Sequence, residues 1–404
     1  MAVDLTGKRI LFGISGGIAA VKAAGWVSGL RREKVEVRVV MTEAATRFVA
    51  PLALAALSAH HVCTGMFDSR SAEQIPHISL ARDCDLILVA PATAQTLAKL
   101  AHGLASDLLS TVILAASVPV ILFPSMNSAM YTHAATQANL SRLRDYGYHV
   151  KEPATGLLAC GEDGPGRLPE WEEARESLLT VLSPQDLAGQ RVVITAGPTR
   201  EVIDPVRYLS NPSTGKMGYA LARTAKRRGA EVILITGPAS LQPPAGVEVI
   251  PVHTALEMHE AVLAHCRGVA VVVMAAAVSD FRPDQASEHK IKKSEAALTV
   301  RLVRNPDILL ELGAGRKAGK SPVLVGFAAE SRDHLAEGRR KVKEKNVDLL
   351  VVNDITGPDS GFAADTNRVF LLDRNGGRED LPLLSKEEVA GRIWDRVSSL
   401  LNAK

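Results

Sequence analysis

Aromatic side chains make up only 4% of this 404-residue chain, and the formal net charge is just +3. So few aromatics give little to stack bases upon, and so small a surplus of cations leaves no basic footprint. Nucleic acid is excluded as the main partner. Cysteine is scarce as well: Cys63, Cys84, Cys160 and Cys266 stand far apart, with no CxxC pair. That excludes a zinc ribbon and offers no disulfide framework, so a reducing cytoplasm is the expected compartment. No apolar run approaches the ~18–20 residues of a membrane span. Valine-rich Val269–Val278 is about half that length and reads as a buried parallel strand. Lys8 and Arg9 ahead of Ile10–Val21 have the outline of a signal peptide. Gly13, Gly16 and Gly17 interrupt that run, however, and Lys22 stands where a small-residue cleavage site belongs, so a strand and a glycine turn are expected.

What is present is the composition of a folded soluble protein, 47% hydrophobic and 23% charged. At roughly 150 residues per domain the length accommodates two or three domains. Leu5-Thr6-Gly7-Lys8-Arg9-Ile10-Leu11 is echoed by Leu187-Ala188-Gly189-Gln190-Arg191-Val192-Val193, and Ser183-Pro184-Gln185-Asp186 between them has a linker's polar, proline-containing character. The expected domains are therefore 1–184 and 185–404.

Both halves alternate apolar strands with helical patterns. In the first, strands are expected at Arg9–Ile14, Val35–Met41, Asp85–Ala90 and Pro119–Phe123, with helices at Gly17–Arg31, Ala92–Ala101, Ser106–Ala116 and Ser128–Tyr146. In the second, the strands are Val192–Thr195, Glu231–Thr236, Val269–Ala275, Val323–Phe327 and Asp348–Val352. The helices there are Lys216–Arg228, Ala255–Arg267, Asp307–Lys317 and Arg332–Lys345. A hairpin around Asn375-Gly376-Gly377 pairs Arg368–Leu372 with Glu379–Leu381. This pattern predicts an α/β protein of two Rossmann-like domains with parallel sheets, binding ligands at the carboxyl ends of strands.

Gly13-Ile14-Ser15-Gly16-Gly17 joins a strand to a helix, where glycines admit a phosphate to backbone N–H groups. It is not GxGxxG, and the next strand closes on Met41-Thr42-Glu43 without an acidic end, which favours a mononucleotide such as FMN over a dinucleotide. Pro91-Ala92-Thr93-Ala94 and Pro124-Ser125-Met126-Asn127 fall at later strand ends. Asn127 there serves equally as a carboxylate binder or a helix N-cap. His77 lies in a loop before a strand, and Cys160 in the glycine-dense segment Thr155–Gly166, a free thiol suited to a mobile flap.

In the second half, Gly215-Lys216 has no glycine five residues earlier, and Met217 replaces the required Ser or Thr, so a Walker A loop is excluded. What remains is a polar loop feeding a helix N-terminus, competent to hold a phosphate. Asp280 ends the most apolar strand abruptly and suits Mg²⁺ or a ribose hydroxyl. Lys290-Ile291-Lys292-Lys293 is a short cationic run, and Lys341 and Lys345 share a helix face.

The segments GISGGIAA, MTEAA, PHI, PATA, PSMNSAMY and LACGEDGPGR, in that order, resemble the flavin-dependent decarboxylases that include phosphopantothenoylcysteine decarboxylase. From TAGPTR through Asn211–Gly218, AAAVSDFRP, Asn305-Pro306-Asp307-Ile308 and Gly326–Glu330, the chain is similar to phosphopantothenate–cysteine ligases. About ten motifs over essentially the whole length thus resemble the bacterial bifunctional family that joins the two activities (the Dfp, or CoaBC, type). Val21 in place of Tyr, Pro76 in place of Gly, and Asn211-Pro212-Ser213-Thr214 in place of N-x-S-S are the departures.

The resemblance implies a flavodoxin-like first domain and two consecutive reactions. A ligase couples 4′-phosphopantothenate to cysteine through an acyl-cytidylate formed from CTP. A decarboxylase then yields 4′-phosphopantetheine, after oxidation of the thiol arm to a thioaldehyde supplies the electron sink. It implies FMN at Ser15, Gly16, Gly17, Thr42, Ala92 and Thr93; His77 as acid–base residue, Asn127 as carboxylate binder and Cys160 as proton donor. In the ligase it implies Lys290 for activation and Asn211, Arg207 and Ala276 for the acyl intermediate. CTP falls to Asp280, Asn305, Pro306, Asp307, Ile308, Phe327, Lys341 and Lys345, with Mg²⁺ at Asp280. Trimeric decarboxylase and dimeric ligase units imply a dodecamer. Two other classes remain: a nicotinamide-dependent flavin oxidoreductase, disfavoured by the missing GxGxxG, and a non-catalytic flavoprotein subunit, disfavoured because His77, Asn127 and Cys160 are all present. Flavin absorbance together with CTP-dependent pyrophosphate release separates the three.

Overall fold

The computed structural model describes residues 4–66, 76–292, 298–316, 322–330, 334–354 and 364–403. The chain divides into two compact units, Asp4–Leu182 and Ser183–Lys404. Both are mixed α/β structures built on a parallel sheet.

The first unit runs β1 (Arg9–Ile14), α1 (Ala20–Arg32), β2 (Glu36–Met41), α2 (Pro51–Ser58), β3 (Val62–Cys63), α3 (Pro76–Arg82), β4 (Leu86–Ala92), α4 (Ala94–Ala101), α5 (Leu108–Leu114), β5 (Val120–Pro124), α6 (Ser128–Thr132), α7 (Ala134–Asp145) and β6 (His149–Val150). A hairpin of β7 (Ala154–Leu157) and β8 (Asp163–Arg167) follows, then α8 (Trp171–Leu182). The strands order β3-β2-β1-β4-β5-β6, all parallel. Every residue of β4 and β5 is buried, the mark of strands covered on both faces. Three aromatic rings pack together here: Trp26 meets Phe123 edge-on, centroids 5.1 Å apart, and Trp171 at 6.1 Å.

Two expected elements differ. The long helix Ser128–Tyr146 is two, α6 and α7, because His133 adopts an extended backbone and its Nδ1 accepts from Ala135 N, capping the second helix. α1 begins at Ala20 rather than Gly17, leaving Ser15-Gly16-Gly17 outside the helix as a turn.

The second unit opens with β9 (Arg191–Ala196), the hairpin β10 (Arg200–Asp204) and β11 (Arg207–Ser210), α9 (Lys216–Arg227), β12 (Glu231–Thr236), β13 (Glu248–Pro251), α10 (Ala255–His265) and β14 (Val271–Met274). Next come the short pair β15 (Phe281–Pro283) and β16 (Leu302–Arg304), then α11 (Ile308–Ala314), β17 (Val323–Glu330), α12 (His334–Glu344) and β18 (Leu349–Asp354). It ends with β19 (Thr366–Asn367), β20 (Val369–Asp373), β21 (Arg378–Asp380), β22 (Leu384–Ser385) and α13 (Lys386–Asn402). The order is β13-β12-β9-β14-β17-β18-β20-β21; the first six strands are parallel, and the expected hairpin, β20–β21, extends the same sheet antiparallel. The hairpin β10–β11 was not legible as strands, since Glu201 and Asp204 break the apolar pattern.

One face of this sheet is covered by α9 and α13, and the other by α10, α11 and α12. α13 is anchored by Trp394, fully buried, whose indole N–H donates to the Leu221 carbonyl at 3.0 Å. Beneath it, buried Arg228 bridges Asp186 and Asp395. No helix among the described residues is long and apolar enough to cross a membrane.

Candidate functional sites

Because β2, β1, β4 and β5 lie side by side and parallel, the loops leaving their carboxyl ends share one edge. Ser15 is buried there; its Oγ donates to the Pro91 carbonyl at 2.7 Å and accepts from Thr93 N at 3.0 Å. This hydroxyl ties the β1 loop to the β4 loop. Thr42 Oγ1 accepts from Ala45 N, and Thr93 Oγ1 from Thr96 N, so both threonines start helical turns. Gly16 has no room for a side chain: a Cβ there stands 2.3 Å from the Ala44 Cβ and 2.8 Å from the Ala44 carbonyl carbon. The glycine lets two loops close upon each other at the sheet edge, where the small and hydroxyl-bearing residues Ser15, Gly16, Gly17, Thr42 and Thr93 suit a flavin mononucleotide.

Asn127, just past β5, does both things its position allows. Its Oδ1 accepts from Ala129 N at 2.8 Å, capping α6. Its Nδ2 donates to Glu162 Oε2 at 2.7 Å and lies 3.4 Å from Cys160 Sγ. Cys160 is exposed, in the turn between β7 and β8. That hairpin is pinned to the Asn127 loop: Met126 N and Ser125 Oγ donate to the Gly166 carbonyl, and Ser128 Oγ to that of Pro165. Gly166, at φ +140°, has its Cβ direction 2.0 Å from the Met126 carbonyl oxygen, so no side chain is tolerated. A thiol, an amide and a carboxylate therefore meet at one strand end. Glu162 escaped sequence reasoning, although it lies two residues after Cys160 in the same glycine-dense segment.

His77 is not in a loop. It is half-buried in the first turn of α3, whose first residue is Pro76, and proline's fixed φ favours such a start.

In the second unit, a cavity of about 720 Å³ opens at the carboxyl edge of the sheet. Of the expected ligase residues it brings together Asn211, Ala276, Asp280, Asn305, Pro306, Asp307, Ile308, Phe327, Lys341 and Lys345. Asn305 braces the wall, donating through Nδ2 to the Ser279 carbonyl at 2.8 Å while Oδ1 accepts from Arg282 at 3.0 Å. Asp307 caps α11 and pairs with the Lys345 ammonium at 3.0 Å. Asn211 Nδ2 donates to the Val278 carbonyl at 3.1 Å, closing the loop over the β14 end. Asp280 is exposed, and among the described residues no group of three acidic, His or Cys side chains is placed to hold a metal. A single carboxylate fits a Mg²⁺ ion that takes its other ligands from a nucleotide's phosphates and water.

Arg207 and Lys290 do not line this cavity. They are linked through Asp204, a buried carboxylate accepting from Val206 N (2.9 Å), Arg207 N (2.8 Å) and Ile291 N (3.2 Å). The Arg207 guanidinium lies 3.6 Å from Asp204 and donates to the Ile291 carbonyl at 3.4 Å. Lys290 itself is exposed, and Lys293 of the same run lies outside the described residues. Burial raises the Asp204 pKa, but the three N–H donors and Arg207 outweigh it and hold the carboxyl below its usual range. Its stabilising contribution is therefore complete above pH ~4 and is lost as pH falls through the lower folded-state value. Hydrogen exchange is expected to show Ile291 and Val206 losing protection on acidification before β9 does. Asp204→Asn should produce the same selective loss at neutral pH.

Lys216, from the loop read as competent to hold a phosphate, lines the cavity, and so do Asn353, Asn367 and Lys386, which carry no sequence signal. Lys386 is buried at the start of α13. Burial, reinforced by the nearby Lys216 ammonium, pushes its pKa down to about 8.

A family model described as Flavoprotein matches residues 2–183, and one described as DNA/pantothenate metabolism flavoprotein C-terminal domain matches residues 187–401. The coenzyme A biosynthesis bifunctional protein CoaBC of Bacillus subtilis is 46% identical over 400 residues, covering 98% of this chain and 98% of that protein. Its Escherichia coli K12 counterpart is 42% identical over 406 residues, 100% of this chain and 99% of that one. Among solved structures, the C-terminal domain of a CoaBC protein aligns at 40% identity and TM-score 0.47, covering 55% of this chain and 100% of that chain. The FMN-dependent cysteine decarboxylase SpaF aligns at 34% identity and TM-score 0.39, covering 44% of this chain and 97% of that chain.

Proposed function

The chain belongs to the CoaBC family of bifunctional coenzyme A biosynthesis proteins, and from that premise we propose how its two units divide the work. It is a flavoprotein decarboxylase and a ligase in one chain. The unit from Ser183 onward joins 4′-phosphopantothenate to cysteine with CTP, and the unit Asp4–Leu182 decarboxylates the product to 4′-phosphopantetheine. One observation supports this division above others: the 46% identity to the Bacillus subtilis protein runs through 98% of the chain, both units included.

In the ligase unit, a carboxylate becomes an electrophile only once it carries a phosphate leaving group, here as an acyl-cytidylate. Lys341 and Lys345 neutralise charge on the CTP phosphates, with Asp280 steadying Mg²⁺. Asp280, Asn305 to Ile308 and Phe327 shape the nucleotide side, while Asn211, Ala276 and Arg207 serve the acyl intermediate. Lys290 serves the activation step.

In the decarboxylase unit, Ser15, Gly16, Gly17, Thr42, Ala92 and Thr93 hold FMN, which supplies reversible hydride acceptance. His77 moves a proton at the substrate's thiol arm. Asn127 Nδ2 binds the carboxylate that leaves, a reading supported by its hydrogen bond to the Glu162 carboxylate at 2.7 Å. Cys160, beside it, protonates the enethiolate left after CO₂ loss.

Incubation with 4′-phosphopantothenate, cysteine and CTP is expected to release pyrophosphate and CO₂ in equal amounts, with no external electron acceptor consumed. Reduced flavin accumulating stoichiometrically during steady turnover contradicts the scheme. Gly16→Val is expected to yield colourless protein without absorbance in the flavin bands, while CTP-dependent pyrophosphate release persists. Trimeric decarboxylase and dimeric ligase units, hence a dodecamer in the cytoplasm, complete the reading. Exposed apolar side chains on β10–β11 (Val202, Tyr208, Leu209) and near α1 and α2 (Ile18, Val21, Leu52) suit such contacts. Sedimentation velocity measures the assembly.

A further inference from the structure

The bonds that pin the β7–β8 hairpin to Ser125, Met126 and Ser128 all reach its second strand, at Pro165 and Gly166. A hairpin held along one strand pivots about it, and the turn carrying Cys160 swings furthest. A separate tie meets the approach to the first strand. Glu152, two residues ahead of β7, accepts from the Tyr131 hydroxyl through Oε2, while its Oε1 accepts from the Arg144 guanidinium at 2.6 Å.

Tyr131 stands one helical turn beyond Asn127, and its N–H donates to the Asn127 carbonyl at 2.9 Å. The helix they share, α6, has five residues, too few for backbone bonds alone to hold its shape. Its orientation is set by its one buried residue, Tyr131, which is 8% exposed and joins the apolar cluster of Leu140 and Leu143. Gln137 Nε2 donates to the Tyr131 carbonyl at 2.6 Å, bracing the same helix from α7. Burial, reinforced by the Glu152 carboxylate, pushes the Tyr131 pKa up to about 12, so its hydroxyl keeps its proton at neutral pH and remains the donor.

Resting on the decarboxylase reading above, we propose that Tyr131 and Glu152 are positioning residues for decarboxylation. Their hydrogen bond joins the helix that starts at Asn127 to the root of the hairpin that carries Cys160. It thereby fixes the spacing of the carboxylate-binding amide and the thiol, which lie 3.4 Å apart. Arg144 takes the other carboxylate oxygen and turns Glu152 toward Tyr131. The pair acts through Asn127 and Cys160 rather than on the reacting atoms, and a misplacement of about 1 Å between such groups costs up to ~10²-fold in rate. Glu152 is exposed, and exposed ion pairs add little to stability, so removing its carboxylate should disturb position more than fold.

The test uses the full-length, FMN-loaded protein supplied with 4′-phospho-N-pantothenoylcysteine. Tyr131→Phe keeps the ring and removes the hydroxyl. It is expected to lower kcat for 4′-phosphopantetheine formation about tenfold, with KM changed less than about twofold and CTP-dependent pyrophosphate release unchanged. Glu152→Ala should match it, and the double variant should be no slower than either alone, because both break one link. Glu152→Gln still offers the hydroxyl an acceptor and should recover most of the rate. Wild-type kcat in both single variants overturns the proposal, as do effects that multiply in the double variant, a change confined to KM, or a Glu152→Gln protein as slow as Glu152→Ala. A loss of rate that merely follows lost flavin absorbance or a lowered thermal midpoint also overturns it, by leaving the pair a structural role alone. Failure of the underlying decarboxylase reading is distinguishable, because the wild-type protein would then form no 4′-phosphopantetheine from this substrate.

Discussion

Cys160→Ala is expected to leave ligation intact and to stall the chain's chemistry in the decarboxylase reaction that follows. Pyrophosphate release from CTP should proceed at the wild-type rate, while CO₂ release falls by about 10²–10⁴, the usual effect of removing a positioned proton donor. The expectation rests on geometry. Cys160 is exposed in the β7–β8 turn, yet its sulfur sits 3.4 Å from the amide of Asn127, and hydrogen bonds from Ser125 Oγ, Met126 N and Ser128 Oγ pin the hairpin that carries it. The thiol is thus held against the group that grips the departing carboxylate, where protonation must follow. Rapid-quench analysis should find 4′-phospho-N-pantothenoylcysteine accumulating, or an intermediate already short of CO₂ and awaiting a proton. Wild-type CO₂ release together with wild-type 4′-phosphopantetheine formation would remove Cys160 from the mechanism. Glu162→Gln serves as its neighbour's control: it keeps the shape of the cluster and removes the carboxylate that competes for Asn127, so substrate should bind at least as tightly.

Lys290→Gln is expected to act earlier and on the other reaction, abolishing product formation from the start. Loss of a cation that stabilises developing phosphate charge lowers kcat by about 10²–10³. The structure gives this residue a different setting from the lysines of the cavity wall: Lys290 is exposed and outside the lining, while its neighbour Ile291 is tied by both backbone groups to Asp204 and Arg207. Its effect should therefore appear in kcat with KM for CTP nearly unchanged, whereas Lys345→Gln, on the wall and paired with Asp307, should raise KM for CTP. Single-turnover measurement of acyl-cytidylate formation separates the two. A Lys290→Gln enzyme with wild-type turnover would take that residue out of the activation step.

Much of the fold was legible because fully buried parallel strands must be apolar throughout. Arg9–Ile14, Glu231–Thr236 and the core of Val269–Ala275 declared themselves by composition alone, and Asn375-Gly376-Gly377 declared its hairpin by turn chemistry. The antiparallel pairs β7–β8, β10–β11 and β15–β16 did not, because their strands are short and broken by glycine or charged residues. His77 read as a loop residue since a helix of seven residues leaves too little periodicity to recognise. Ser128–Tyr146 read as one helix since nothing in the letters marks His133 as a cap.

What the amino-acid order determined by itself was the alternation of strand and helix, the glycine turns at strand ends, and through them the edge at which ligands collect. These are properties of local sterics and of apolar surface seeking cover, and each is written within a few neighbouring residues. Only the tertiary structure decided which distant groups share a site. It set Asn127 beside Cys160 and Glu162, tied Lys290's segment to Asp204, and brought Lys386 from α13, more than 150 residues along the chain, to the wall that holds Lys216. Such meetings depend on sheet order and on which face each helix covers, and no short stretch of sequence carries that information.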